Sequence, residues 1–133
     1  MIRKAVRWIP AVIWMAVIFL LSHRTGSELD DMLPWVERWF YWLGGFNFGH
    51  FVAYFILALL VWHAIGKDTL TAKLSAVAVC FVYGITDEFH QTFVPGRHPD
   101  IMDLRNDVIG ALAAMILISL PSVKKRLCRK SAA

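Results

Sequence analysis

The chain has 133 residues, of which 58% are hydrophobic and 14% aromatic, and its formal net charge is +4. A soluble domain of ordinary composition contains about 45–50% apolar residues, so this composition leaves little room for a water-soluble body. The excess lies in four blocks without Asp, Glu, Lys or Arg, which run from Trp8 to His23, Trp39 to Gly66, Leu74 to Thr86 and Val108 to Val123. We therefore predict an all-α integral membrane four-helix bundle that forms a single domain over residues 1–133.

The first predicted transmembrane helix covers about residues 5–21, with Pro10 near its first turn, where a missing N–H costs least. An external segment follows, in which Trp35, Trp39 and Trp42 recur at helical spacing. This spacing predicts a short amphipathic helix over about residues 34–43 that lies in the outer membrane interface, where tryptophan is enriched. A hydrophobic loop packed on the bundle is the alternative.

The remaining predicted transmembrane helices cover about residues 48–65, 70–94 and 100–120. A hydrocarbon core of about 30 Å needs about 20 helical residues. The third and fourth apolar blocks reach that length only if their helices include charged residues, namely Asp87 and Glu88 in one helix and Asp103 to Asp107 in the other. These carboxylates are therefore expected at the membrane boundary.

The distribution of charge predicts the orientation. If each block spans once, the side with both termini and the loop from Gly66 to Lys73 carries ten Lys and Arg residues and one acid, and the other side carries four and nine. Because Lys and Arg favour the cytoplasmic side, we expect a multi-pass protein of the bacterial cytoplasmic (inner) membrane with both termini in the cytoplasm. The bases lie beside membrane helices, so their expected partners are membrane lipids and not nucleic acid.

This topology brings most of the polar residues of the helices to the outward-facing ends. We predict an extracytoplasmic polar pocket whose ligand-binding residues are His50, Tyr54, Asp87, Gln91, Arg97, Asp103 and Asp107. Ionisable groups are costly to place within a membrane, which favours a functional site. The structural alternative is that such residues link helices by hydrogen bonds or favour a helix N-terminus.

The same residues resemble the signature of the VanZ-like family of bacterial membrane proteins. The resemblance lies in the string from Asp87 to Arg97, in the Asp103, Asp107 and Gly110 that follow, and in His50 with Tyr54 upstream. It implies a four-span membrane protein, and the founding member of that family is associated with resistance to teicoplanin, a lipidated glycopeptide. Relatives commonly have a lysine three residues before the histidine, where this chain has Asn47, so Arg97 or a bound cation would have to neutralise the acids here.

Three functions remain open from the sequence. The first is a binding protein for a cell-envelope lipid or glycopeptide headgroup, whose ligand would be a lipid-linked wall precursor or a lipoglycopeptide. The second is an enzyme, with Glu88 and His90 as catalytic residues and a divalent cation held by Asp103, Asp107 and Glu88. The third and weaker one is a small transporter or partner subunit, since four spans rarely enclose a path without forming an oligomer. No cofactor other than this cation is suggested, and the oligomeric state stays open.

Overall fold

The computed structural model describes residues 2–24 and 46–123. These residues form helices and connecting turns, without strands. The helices are α1 (Ile2–Val6), α2 (Ile9–Ser22), α3 (Phe46–Ile65), α4 (Leu70–Gln91) and α5 (Ile101–Ser119). The predicted interfacial helix over residues 34–43 lies outside the described residues.

The first predicted helix is divided in two. A turn at Arg7 and Trp8 separates α1 from α2, and Pro10 lies in the first turn of α2. Proline has no N–H, and its ring clashes with the carbonyl four residues earlier. That carbonyl belongs to Val6, the last residue of α1, so the position of Pro10 explains the break.

Helices α4 and α5 are closely connected. Thr69 caps the start of α4 by accepting from the Ala72 N–H at 3.2 Å. The helix ends at Gln91, three residues before the predicted end at Val94. The chain continues in tighter turns, in which the Phe93 and Val94 N–H groups donate to carbonyls three residues earlier. Asp100 then caps α5 by accepting from the Met102 N–H at 2.8 Å.

The four long helices pack side by side, with the most extensive contact between α3 and α5. These two helices run in the same direction, because residues near the start of each meet at one end of the bundle. Helix α4 runs in the opposite direction, and at the other end of the bundle its Lys73 donates to the Ser119 hydroxyl of α5 at 2.7 Å. Helix α2 runs parallel to α4, since His23 just past its end meets His90.

Close backbone approach supports this packing. A Cβ placed on Gly110 would overlap the carbonyl oxygen of Phe51, so α5 contacts the backbone of α3 directly. Ala114, one turn further, is fully buried, as are Tyr54 and Leu57 on α3. Small residues such as Gly110 and Ala114 allow membrane helices to approach closely.

The outside of the bundle is apolar, as expected for helices that face lipid. Val12 and Ile13 on α2, Val82 on α4 and Ile116 on α5 are exposed. Three segments, Lys4–Ser22, Phe48–Ile65 and Leu70–Gln91, are long and apolar enough to cross a membrane. The prediction of an all-helical membrane protein is confirmed, whereas three of the four predicted spans meet this criterion of length and composition.

Candidate functional site

The candidate site lies at the end of the bundle where α2 and α4 finish and α3 and α5 begin. Four ionisable or amide side chains are buried here, with exposed fractions of 0% for Asp107, 1% for Gln91, 3% for Asp87 and 8% for Glu88. The side chains of His50 and Asp103 are 11% and 13% exposed. The cluster therefore combines four buried side chains with two, His50 and Asp103, that are partly accessible.

His50 connects the two parallel helices. Its Nδ1 lies 3.1 Å from Asp107 Oδ1, and its Nε2 lies 3.9 Å from Asp103 Oδ2. Because an ionised carboxylate only accepts hydrogen bonds, Nδ1 donates to Asp107 in this arrangement. The Asp107 contact thereby fixes the orientation of the ring and directs Nε2 towards Asp103.

A second layer lies between α3 and α4. The Tyr54 hydroxyl donates to Asp87 Oδ2 at 3.5 Å, which is a long hydrogen bond. Asp87 Oδ1 and Gln91 Nε2 are buried and have no hydrogen-bond partner among the described residues. Asp87 and Gln91 share one face of α4 because they are four residues apart.

Glu88 links the site to the turn between α4 and α5. Its Oε2 accepts from the Asp100 N–H at 2.8 Å, whereas its buried Oε1 has no partner among the described residues. This contact holds the start of α5 against the end of α4. Glu88 is thus positioned by its second oxygen, and its first oxygen remains free to accept.

Arg97 lies at the edge of the cluster and is partly buried. Its Nε donates to the Arg24 carbonyl oxygen at 3.2 Å, and its charge acts on Asp103. The four carboxylates of Asp87, Glu88, Asp103 and Asp107 thus outnumber the positive charge of Arg97, and would do so even with His50 protonated. Asn47, which stands where relatives commonly have a lysine, is not among the residues whose side chains the structure describes.

His90 takes a different direction from the neighbouring acids. Its Nε2 lies 3.2 Å from His23 Nδ1, and its ring packs on Phe19 with the centroids 4.2 Å apart. The predicted catalytic pair of Glu88 and His90 is therefore divided between two surroundings: Glu88 faces α5, and His90 faces α2. The contact between His23 and His90 was missed by sequence reasoning, because it depends on the packing of α2 against α4.

Within residues 2–24 and 46–123, His50, Glu88 and Asp103 form a group that could hold a metal ion, since their ligand atoms all lie within 4.8 Å of one another. Two of the three predicted metal ligands, Glu88 and Asp103, are in this group. The third, Asp107, is paired with the His50 ring instead. Sequence spacing favoured Asp107, because it lies one helical turn from Asp103. His50 was expected in the same pocket, but the sequence did not indicate that its ring would pair with Asp107.

Two further residues shape the site. Sequence reasoning missed the first, Gly84, and expected the second, Ser22, among the polar residues at this end of the bundle. A Cβ on Gly84 would stand 2.8 Å from Asp107 Oδ2 and 2.9 Å from Leu104 Cδ1, so this glycine makes room for the carboxylate. Ser22, the last residue of α2, is buried at the same end of the bundle. A glycine within a predicted transmembrane helix was the available signal for the first.

Comparisons with known proteins give one result. The family model described as VanZ/LLP1 matches residues 7–122. The comparison with curated proteins and the comparison with solved structures each gave no significant match. The matched range includes α2, α3, α4 and α5 and every residue of the candidate site, so this membrane protein belongs to the VanZ/LLP1 family.

Proposed function

We propose that this protein binds the headgroup of a cell-envelope lipid or of a lipidated glycopeptide at the outer surface of the cytoplasmic membrane. The observation that carries the proposal is a pair of buried acceptor oxygens, Glu88 Oε1 and Asp103 Oδ1, which have no hydrogen-bond partner among the described residues. They lie at the end of an apolar bundle, where the Arg97 charge acts on Asp103. A ligand there would keep its acyl chain on the lipid-facing helices and its polar part on the cluster.

The charges of the site favour a ligand of mixed polarity. Carboxylate oxygens accept hydrogen bonds from hydroxyl and ammonium groups, so the acidic wall suits a sugar or an amine. The Arg97 guanidinium suits a phosphate or a carboxylate. Lipid-linked wall precursors and lipoglycopeptides carry both kinds of group, whereas a purely anionic headgroup would be repelled by the four acids.

The two layers of the cluster suggest distinct roles. His50 and Asp103 are partly accessible and would contact the ligand first. Tyr54, Asp87 and Gln91 lie deeper and would receive a group that enters between α3 and α4. Through the proposed binding, the protein would contribute to resistance against teicoplanin-type drugs.

The test measures susceptibility to teicoplanin in a sensitive bacterial host that expresses the full chain. We expect protection by the original chain and its loss in R97A, at equal amounts of protein in the membrane. The matched control is R105A, which removes an exposed arginine of α5 that donates a long hydrogen bond of 3.5 Å to Asn106 Oδ1.

A second arm uses purified protein in detergent and measures binding of teicoplanin and of the same glycopeptide without its acyl chain. We expect tighter binding of the acylated drug and weaker binding by R97A than by R105A. Equal affinities of the original chain and R97A would overturn the assignment of Arg97, and binding of neither compound would overturn the drug as ligand.

A further inference from the structure

The residues that face one another across α3, α4 and α5 carry an inference beyond headgroup binding. We propose that His50, Glu88 and Asp103 form a site for one divalent transition-metal ion, Zn²⁺ or Mn²⁺, with Asp107 as the carboxylate that orients the histidine ligand. The proposal concerns the same cluster as the proposed function but does not depend on the identity of its ligand.

The direction of the His50 ring favours a metal ion at its Nε2. Metal-bound histidines usually donate their second ring N–H to a carboxylate or a carbonyl, which fixes the tautomer and makes the other nitrogen a better ligand. Here Nδ1 contacts Asp107 at 3.1 Å. Nε2 is thereby left with its lone pair towards the space shared with Asp103.

The state of the carboxylates favours an ion as well. Glu88 is 8% exposed, and its Oε1 has no partner among the described residues, as is also true of Asp103 Oδ1. A buried carboxylate oxygen without a partner is costly. Because Oε2 of Glu88 is held by the Asp100 N–H, the side chain is already oriented before any ion binds.

The spacing of the donor atoms is close to that around a bound ion. Zn²⁺ binds nitrogen and carboxylate oxygen at about 2.0–2.2 Å, so the donors of one tetrahedral ion stand about 3.4 Å apart. The Nε2 of His50 and Oδ2 of Asp103 are 3.9 Å apart, and all three donors lie within 4.8 Å of one another. Rotations of the Glu88 and Asp103 side chains that move their oxygens by about 1 Å would close the site.

The donor types indicate the metal. Imidazole suits Zn²⁺ and other transition metals, and carboxylates suit Mn²⁺ as well as Mg²⁺, so one histidine with two carboxylates favours Zn²⁺ or Mn²⁺ over Ca²⁺. Three protein ligands would leave at least one position for a water or for an oxygen of a bound headgroup. The ion would also offset the excess of negative charge and allow a phosphate to approach.

The test uses the full chain, purified in detergent and stripped of metal with a chelator. Titration with Zn²⁺ or Mn²⁺ alone, monitored by calorimetry, should show one binding site per chain. Elemental analysis of the loaded protein should give one ion per chain. We expect D107N, which removes only the hydrogen-bond partner of the His50 ligand, to weaken binding by roughly 10- to 100-fold. H50Q and D103N remove ligands themselves and should weaken binding by more than about 100-fold.

The control is H90Q, which removes the histidine that meets His23 and leaves the proposed ligands intact. Unchanged affinity in H90Q together with loss in D103N supports the proposal. If H90Q lost metal binding and H50Q retained it, the ion would belong to the His23 and His90 pair, and the proposed site would be overturned. Absence of metal binding by the original chain would overturn it as well.

The folding of each variant is checked without metal by helical circular dichroism and thermal unfolding. The ion should raise the unfolding temperature of the original chain and not that of D103N, since a ligand stabilises only a protein that binds it. Because no drug is used, a bound ion with no protection against teicoplanin would overturn the proposed function alone.

Discussion

At the scale of single residues, the structure shows how glycines make room for the polar cluster. Asp107 has no exposed surface, and one of its oxygens lies where a side chain on Gly84 would stand. Gly110, three residues further along α5, lies against the Phe51 carbonyl. The polar contact and the close helix contact are thus neighbours, and larger residues at either glycine would separate the helices that carry the site.

The substitution G110A is therefore expected to destabilise the protein. The added methyl group would overlap the Phe51 carbonyl oxygen, which belongs to the backbone of α3 and can only move with its helix. Overpacking of this kind typically costs about 1–3 kcal/mol. The free energy of unfolding, measured in detergent by titration with a denaturant, should fall by that amount.

The matched control for this prediction is G49A on α3, where a Cβ would meet nothing within 4 Å. Alanine is favoured over glycine within helices, so G49A should keep or slightly raise stability. Equal losses in the two variants would show that the close approach of α5 to Phe51 is not the cause.

At the scale of elements, the sequence indicated which segments are helical but not where the helices are interrupted. The second apolar block was long enough to indicate α3, and the third indicated α4 once its helix included Asp87 and Glu88. The proline at position 95 marked a turn between α4 and α5. The break before α2 was missed, because Pro10 was assigned to the first turn of one continuous helix. In the structure, α1 ends at Val6 and α2 begins at Ile9.

The site was predictable to a similar degree. The charges at the ends of α4 and α5 indicated which acids gather at one end, because helix direction alternates along the chain. The partner of each acid could not be predicted, since pairing depends on the rotation of each helix about its axis. His50 therefore contacts Asp107, and His90 turns to His23, without a signal in the spacing.

The turn between α4 and α5 gives a prediction at this scale. The Arg97 N–H donates to the Val94 carbonyl at 3.1 Å, and Gly96 has a φ of 76°, as expected for glycine at the third position of a type II turn after proline. G96A should cost about 1–2 kcal/mol, because left-handed backbone is unfavourable for a residue with a Cβ.

The control is G96N, since asparagine adopts left-handed backbone more readily than alanine. Nothing lies within 4 Å of a Cβ at this position, so crowding does not contribute to either variant. The unfolding free energy should rank the original chain first, then G96N, then G96A. A loss in G96N as large as that in G96A would refute the conformational explanation.

At the scale of the whole molecule, the question is whether α5 crosses the membrane. It has 19 residues, which correspond to about 28 Å of helix against a hydrocarbon core of about 30 Å. Asp103, Arg105 and Asp107 lie in its first two turns, which explains why its composition does not meet the criterion that the other three spans meet.

The packing of α5 argues that it crosses nonetheless. It runs alongside α3, with Asp107 beside His50 at one end of the bundle and Ser119 beside Lys73 at the other. If α3 and α4 cross, α5 covers the same distance between the same two ends. Its charged first turns then lie at the polar end, where partners from α3 and α4 reduce the cost of burial.

This arrangement predicts the location of the C-terminus. Four crossings would put both termini on the same side of the membrane, and the ten Lys and Arg residues there against four on the other side predict that this side is the cytoplasm. Green fluorescent protein fused after Ala133 should fluoresce, and alkaline phosphatase fused there should be inactive. Phosphatase fused after Arg97 should be active, because that turn would face outward. Active phosphatase at both Arg97 and Ala133 would instead mean that α5 does not cross. Active phosphatase at Ala133 together with a fluorescent fusion after Arg97 would mean that the orientation is reversed and that the candidate site faces the cytoplasm.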